Sequence, residues 1–194
     1  MANVLTPEFR VSYANVFKAQ KNTLNDKLEY SVVAIFPVGT DLSALKRLAA
    51  EMLTEKWGAD QAKWPANMRN PFRKCRERWK MVEGKEVKPD GYEDGEAVFI
   101  TLKQDAERGR PQVVDQNVQD IIEPRDFYSG CWARASVSAY AYDQKGNRGV
   151  GFGLRNLQKV KDDKPFGTTN TRAADDFKPI AGAPAGAGAA ALFD

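Results

Sequence analysis

The sequence predicts a mainly β domain with one or two helices, followed by a flexible C-terminal tail. Three observations point there. Apolar and polar residues alternate over FRVSYANVF (9–17) and CWARASVSAYAYD (131–143); residues 41–57 carry one apolar stripe at helical spacing; and AGAPAGAGAAA (181–191) contains only Ala, Gly and Pro. At 194 residues the chain suits one domain plus a tail, with a core large enough to stand alone. No apolar run approaches the ~18 residues that would cross a bilayer. The start, MANVLTPEF, lacks a cationic stretch followed by an apolar one, so a cytoplasmic location is expected.

In FRVSYANVF, Phe9, Val11, Tyr13 and Phe17 share one side, the mark of a half-buried strand. YSVVAIF (30–36) reads as a buried strand ending at Pro37-Val38-Gly39. Asp41 then caps a helix whose face holds Leu42, Leu45, Leu48, Ala49, Met52 and Leu53, with Gly58 as the stop. From Gly58 to Gly95 the chain is polar, charged and punctuated by Pro and Gly, a long surface excursion. Within it Asn70-Pro71 makes a good helix start, and Phe72, Cys75, Trp79 and Val82 recur at helical spacing, predicting a short helix near 72–82. Strands resume with EAVFITLK (96–103), PQVVD (111–115) and 131–143. A turn at Lys145-Gly146-Asn147 joins the last of these to VGFGLRNLQKV (150–160) as a hairpin.

The formal charge is only +3, but it is unevenly placed: Lys63 to Lys80 holds seven cations against Glu77 alone, a local net of +6. The chain has no histidine, which removes His-based triads and leaves a structural zinc site short of ligands. Cys75 and Cys131 lie far apart and read as free thiols; a nucleophilic Cys75 would have no histidine to move its proton. GVGFG (149–153) sits inside a hairpin arm rather than between a strand and a helix, so close backbone approach or a bulge explains it better than phosphate binding. A metal-dependent nuclease is one alternative, since Pro89-Asp90 precedes a strand ending in Lys103. The acid such a site needs is Thr101 here, and Glu93, Asp94 and Glu96 read as a solvated hairpin. A structural or adaptor protein is another; it leaves the +6 segment without a purpose.

CWARASVSAYAY has two unlike faces. Cys131, Ala133, Ala135, Val137, Ala139 and Ala141 are small and apolar, as a cramped barrel interior or a close packing partner requires. Trp132, Arg134, Ser136, Ser138, Tyr140 and Tyr142 form the other face, with flat rings, a guanidinium and hydroxyls. Rings beside cations are what sequence-tolerant binding of unpaired nucleotides uses, because every base has a π-face and every nucleotide a phosphate. The alternative is that Trp132, Tyr140 and Tyr142 pack beneath the 58–95 excursion as a second core layer.

Arg110 to Asp115 (RPQVVD), Tyr128 to Trp132 (YSGCW), Gly146 to Leu154 (GNRGVGFGL), and Gln158-Lys159-Val160 followed by Asp162 resemble a tailed-phage family of single-stranded DNA-binding proteins. Many members of that family are known only as a domain of unknown function. Asp41 to Leu45 and Asn70-Pro71-Phe72 are similar to it as well, so the likeness covers residues 8–165. The resemblance implies an OB-type five-stranded antiparallel barrel over 1–165 with an elaborated loop, and a tail over 166–194. It implies a protein that coats and protects single-stranded DNA during phage replication or recombination in the cytoplasm of the infected bacterial host. No catalysis, cofactor, metal, membrane or small-molecule substrate goes with that reading. The expected stacking rings are Trp132, Tyr140 and Tyr142, with Trp79 as a further candidate. Arg134, Arg73, Arg76, Arg78, Arg110 and Arg148 are the expected phosphate or cation-π partners. Lys74 and Lys80 are expected to face the phosphates too, and Phe193 and Asp194 to meet replication or recombination proteins.

Overall fold

The computed structural model describes residues 3–22, 26–144 and 146–167. The expected tail beyond Gly167, with Phe193 and Asp194, lies outside the described residues. In chain order the elements are β1 (Val4–Leu5), β2 (Phe9–Lys21), β3 (Leu28–Phe36), α1 (Ser43–Trp57), β4 (Arg73–Lys74), β5 (Lys80–Val82), β6 (Lys85–Val87), β7 (Val98–Asp105), β8 (Gln112–Val114), β9 (Trp132–Gln144) and β10 (Asn147–Lys161), with short 3-10 turns between them.

Five of these strands close on themselves, because β9 pairs with β2, β2 with β3, β3 with β7, β7 with β10 and β10 again with β9. The result is a mainly β fold of OB type, its remaining edges short. Four seams are antiparallel, as expected; the seam between β7 and β10 is parallel, since the chain crosses over through β8 and β9 before β10 returns. Closure needs β2 to serve two neighbours at different angles. It does so by register shifts after Ser12 and Asn15, with Tyr13 at φ 48°.

The period-two reading of β9 holds inside this ring: Ala133, Ala135, Val137 and Ala139 point into the core and are fully buried. Their small size leaves room for Phe9, Phe36, Phe152 and Leu154, with Phe9 meeting Phe36 edge-on at 5.6 Å between ring centres. Helix α1 packs its Leu45, Leu48 and Ala49 face into the same core against β9 and β10. The Asp41 carboxylate accepts the Ser43 N–H (2.9 Å), and Gly58, at φ 85°, donates its N–H to the Thr54 carbonyl (2.8 Å). The helix follows the second barrel strand, so the barrel is elaborated between its second and third strands.

The 58–95 excursion departs from the expected short helix. Within 72–82 only Cys75–Arg78 turns helically, as a short 3-10 turn; it is preceded by β4, which pairs with β7, and followed by the β5–β6 hairpin. The four residues at helical spacing diverge to different partners. Phe72 meets Phe152 edge-on at 5.7 Å, Cys75 is buried, the Trp79 indole N–H donates to the Tyr92 carbonyl (2.7 Å), and Val82 is 51% exposed. Glu83 and Gly84 both have positive φ, the geometry of a tight hairpin turn. The solvated hairpin therefore falls at 80–87 and not at Glu93, Asp94 and Glu96. Tyr92, just before these acids, is buried with Val33, Ile35, Cys75, Ala97 and Phe99 in a second core, on the outer face of β3 and β7. After β10 the chain doubles back: Phe166 packs on this second core and its N–H donates to the Ser129 carbonyl (2.9 Å).

Candidate nucleic-acid interface

The outward row of β9 lies beside the glycines of β10. Tyr142 is opposite Gly149, Tyr140 opposite Gly151 and Ser138 opposite Gly153. A Cβ on Gly151 would stand 2.7 Å from the Cζ and hydroxyl of Tyr140, and one on Gly149 would stand 3.0 Å from the Tyr142 hydroxyl. The rings thus lie down across β10 where side chains are missing. That is the close approach expected of GVGFG, with a tyrosine as the approaching group. The two ring centres are 6.4 Å apart, and Tyr140 remains 41% exposed. Partial burial raises the Tyr140 hydroxyl pKa, with Glu29 and Tyr142 adding to it, so this hydroxyl stays protonated at neutral pH.

These tyrosines form one wall of a groove of about 1240 Å³. Its other parts come from β7 (Thr101, Lys103), the start of β10 (Val150, Gly151) and the excursion (Arg69 to Arg73). The turn after β2 contributes Asn22, and the strand ends flanking the β9–β10 turn contribute Gln144 and Asn147. Strand faces and these two turns are what OB folds commonly offer to oligonucleotides. The excursion is pinned here by backbone contact: the Arg69 N–H donates to the Arg148 carbonyl (2.8 Å), and a Cβ on Gly149 would lie 2.7 Å from the Arg69 carbonyl oxygen.

Three cations reach this groove: Arg69, Arg73 and Lys103. The Arg73 guanidinium stacks on Phe99 at 5.1 Å and donates through Nε to Glu77 (2.9 Å). Burial opposes charge on Glu77, but hydrogen bonds from Arg73 and the Lys74 N–H outweigh it and hold the carboxyl below its usual range. Lys103 is ion-paired with Glu29, whose other oxygen accepts from Asn22 Nδ2 (3.0 Å).

The structure thus gathers Tyr140, Tyr142 and Arg73 of the expected set into one groove, and scatters the rest. Arg148 is beside the β9–β10 turn, paired with Asp143 (2.9 Å). Arg78 stacks on Phe99 at 5.0 Å, with its Nε buried and unpartnered among the described residues. Arg76 and Lys74 are ion-paired with Glu96, and Lys80 is exposed on the hairpin. Trp79 lies against Gly95 with the Lys88 ammonium 4.1 Å from its ring centre. Arg110 is over Phe17 at 5.5 Å. Trp132 stands at the far end of β9, its indole N–H on Asp163 (2.7 Å) and its ring near Arg10 (5.6 Å) and Lys161 (4.9 Å). Arg134 donates to Gln158 (2.8 Å) from the same face. Sequence reasoning missed Arg69 and Lys103 as site residues. Arg69 was one of the cations of the +6 segment, and strand parity alone puts Lys103 on the outward side with Thr101.

Comparison with known proteins bears on this geometry. Residues 2–186 match a family described as Enterobacter phage Enc34, ssDNA-binding protein. Protein p50 of Acyrthosiphon pisum secondary endosymbiont phage 1 is 25% identical over 173 residues, 87% of this chain and 88% of that protein. The solved single-stranded DNA-binding protein from bacteriophage Enc34 in complex with ssDNA superposes with a TM-score of 0.62 at 19% identity, over 85% of this chain and 89% of that one. The gp2.5 single-stranded DNA-binding protein encoded by bacteriophage T7 gives 0.56 at 14% identity, over 93% of this chain and 99% of that one. The structural likenesses establish a shared fold. Since the family match runs along nearly the whole sequence, the chain belongs to the Enc34 ssDNA-binding protein family.

Proposed function

We propose that this protein binds single-stranded DNA without sequence preference and without catalysis, coating it during phage replication or recombination in the cytoplasm of the infected host. The observation that carries the proposal is the pair of tyrosine rings laid over the β10 glycines in a groove bordered by Arg69, Arg73 and Lys103. Each ring accepts any base, and the cations accept the phosphates that accompany it. Trp132 and Arg134, further along the same face of β9, extend the track. Residues 1–165 are the binding unit in this reading, and Phe193 and Asp194 in the tail contact other replication or recombination proteins.

The test is a fluorescence titration of an oligothymidine across a range of salt. Three groove cations predict a log–log slope near −2, and contacts from Arg148 and Arg110 would bring it to about −3.5, at about −0.7 per phosphate. A salt-independent affinity, or no binding in dilute buffer, overturns the proposal.

A further inference from the structure

We infer that Glu29 and Glu77 compete with the DNA phosphates for the groove cations, holding the affinity of the groove below what its cations alone would give. The inference rests on the proposed function and adds to it a means of setting its strength. Two of the three groove cations are taken: Lys103 by Glu29 and Arg73 by Glu77. Arg69, in the same groove, has no ion pair among the described residues.

Each carboxylate is also held from behind. The second oxygen of Glu77 accepts the Lys74 backbone N–H (2.9 Å), and the second oxygen of Glu29 accepts from Asn22 (3.0 Å). Neither carboxylate is therefore carried off when its cation turns to a phosphate. It stays in the groove as a negative charge beside the strand, so binding loses an ion pair and gains a repulsion at each position. Arg69 offers the first uncontested contact. Salt acts on both sides of this exchange, weakening the phosphate contacts and the internal pairs together, so the pairs make the salt dependence shallower than the cation count predicts.

The experiment compares wild type, Glu29→Gln, Glu77→Gln and Glu86→Gln in oligothymidine titrations over a salt series, with thermal unfolding recorded for each. Glutamine keeps an acceptor oxygen for Asn22 or the Lys74 N–H while removing the charge. Glu86 pairs with Lys88 on the exposed hairpin and controls for the change in net charge. Glu29→Gln and Glu77→Gln are each expected to bind about two- to fivefold more tightly at ~0.1 M salt. Their slopes are expected to be steeper by up to about 0.7. Glu86→Gln is expected to stay near wild type.

If the wild type binds and the folded groove variants bind no better, at unchanged slope, the inference is overturned while the function stands. An equal gain from Glu86→Gln overturns it as well, by assigning the effect to net charge. A wild type that does not bind removes the function itself and the inference with it.

Discussion

Replacing Gly151 with alanine separates the role of the tyrosine platform from that of the fold. The new Cβ would stand 2.7 Å from the Tyr140 Cζ and hydroxyl oxygen, whereas unstrained carbon contacts lie at about 3.5–4.0 Å. The ring must lift by about 1 Å at its tip. That tip is the far end of a partly exposed side chain, so the movement is cheap for the fold. Alanine also removes backbone freedom from the unfolded chain, worth about 0.4–1 kcal/mol in the opposite sense. Thermal stability should therefore stay within about 1 kcal/mol of wild type.

Binding should not escape, because a base that stacks on Tyr140 needs the ring lying flat. With stacking worth about 1–3 kcal/mol per base, partial loss at one ring costs about 1–2 kcal/mol, a five- to thirtyfold weakening. Anisotropy titration of a labelled oligothymidine, paired with calorimetry, reads both quantities. Gly149→Ala is the contrast: its Cβ would stand 2.7 Å from the Arg69 carbonyl oxygen, backbone against backbone, and should cost stability first. A Gly151→Ala protein that folds normally and binds like wild type would refute the platform.

Two further outcomes are expected. Trp132 is eight residues from Tyr140 along β9, about 26 Å at strand spacing. Trp132→Ala should leave affinity for a strand of about four nucleotides within about twofold and cost about 1–3 kcal/mol with about sixteen; equal losses at both lengths would remove Trp132 from the track. Burial pushes the Cys75 and Cys131 thiols up to about 11, so neither should react with a thiol reagent at about pH 8 until the protein unfolds. Rapid modification of the native protein would contradict the placement of both side chains.

The barrel was legible because its signals are local. Period two along β9 separates Ala133, Ala135, Val137 and Ala139 from Trp132, Tyr140 and Tyr142 without knowledge of any neighbour, and the stripe of α1 does the same at helical spacing. The excursion was not legible, because its residues answer to distant partners. Phe72 goes to Phe152, Cys75 under Tyr92 and Trp79 onto Gly95, so spacing that imitates a helix is filled by unrelated packing demands. The cation count misled in the same way. Arg76 and Lys74 share the single negative charge of Glu96, some twenty residues on, whereas the Arg73–Glu77 pair, four residues apart, is already within the local net. Lys103 was set aside with the nuclease alternative, since nothing along the chain places it across a glycine strand from two tyrosines.

That glycine strand carries a cost that explains the position of the rings. Glycine inside a strand is unfavourable by about 0.5–1 kcal/mol, and Gly149, Gly151 and Gly153 fall on one outward row of β10. Left bare, they would weaken the seam that closes the barrel between β9 and β10. Tyr140 and Tyr142 cover two of them from the neighbouring strand, an aromatic cover for glycine that stabilises sheets generally. The rings are therefore held down by the folded protein itself, and in the proposed reading their upper faces are what a base would meet. Rings needed by the fold in one orientation would lose little freedom on binding, so in that reading most of the stacking energy would be left to hold the strand. Exposed tyrosines over strands with ordinary side chains would stand away from the sheet and have to be ordered by the ligand; here the missing Cβ atoms do that ordering during folding.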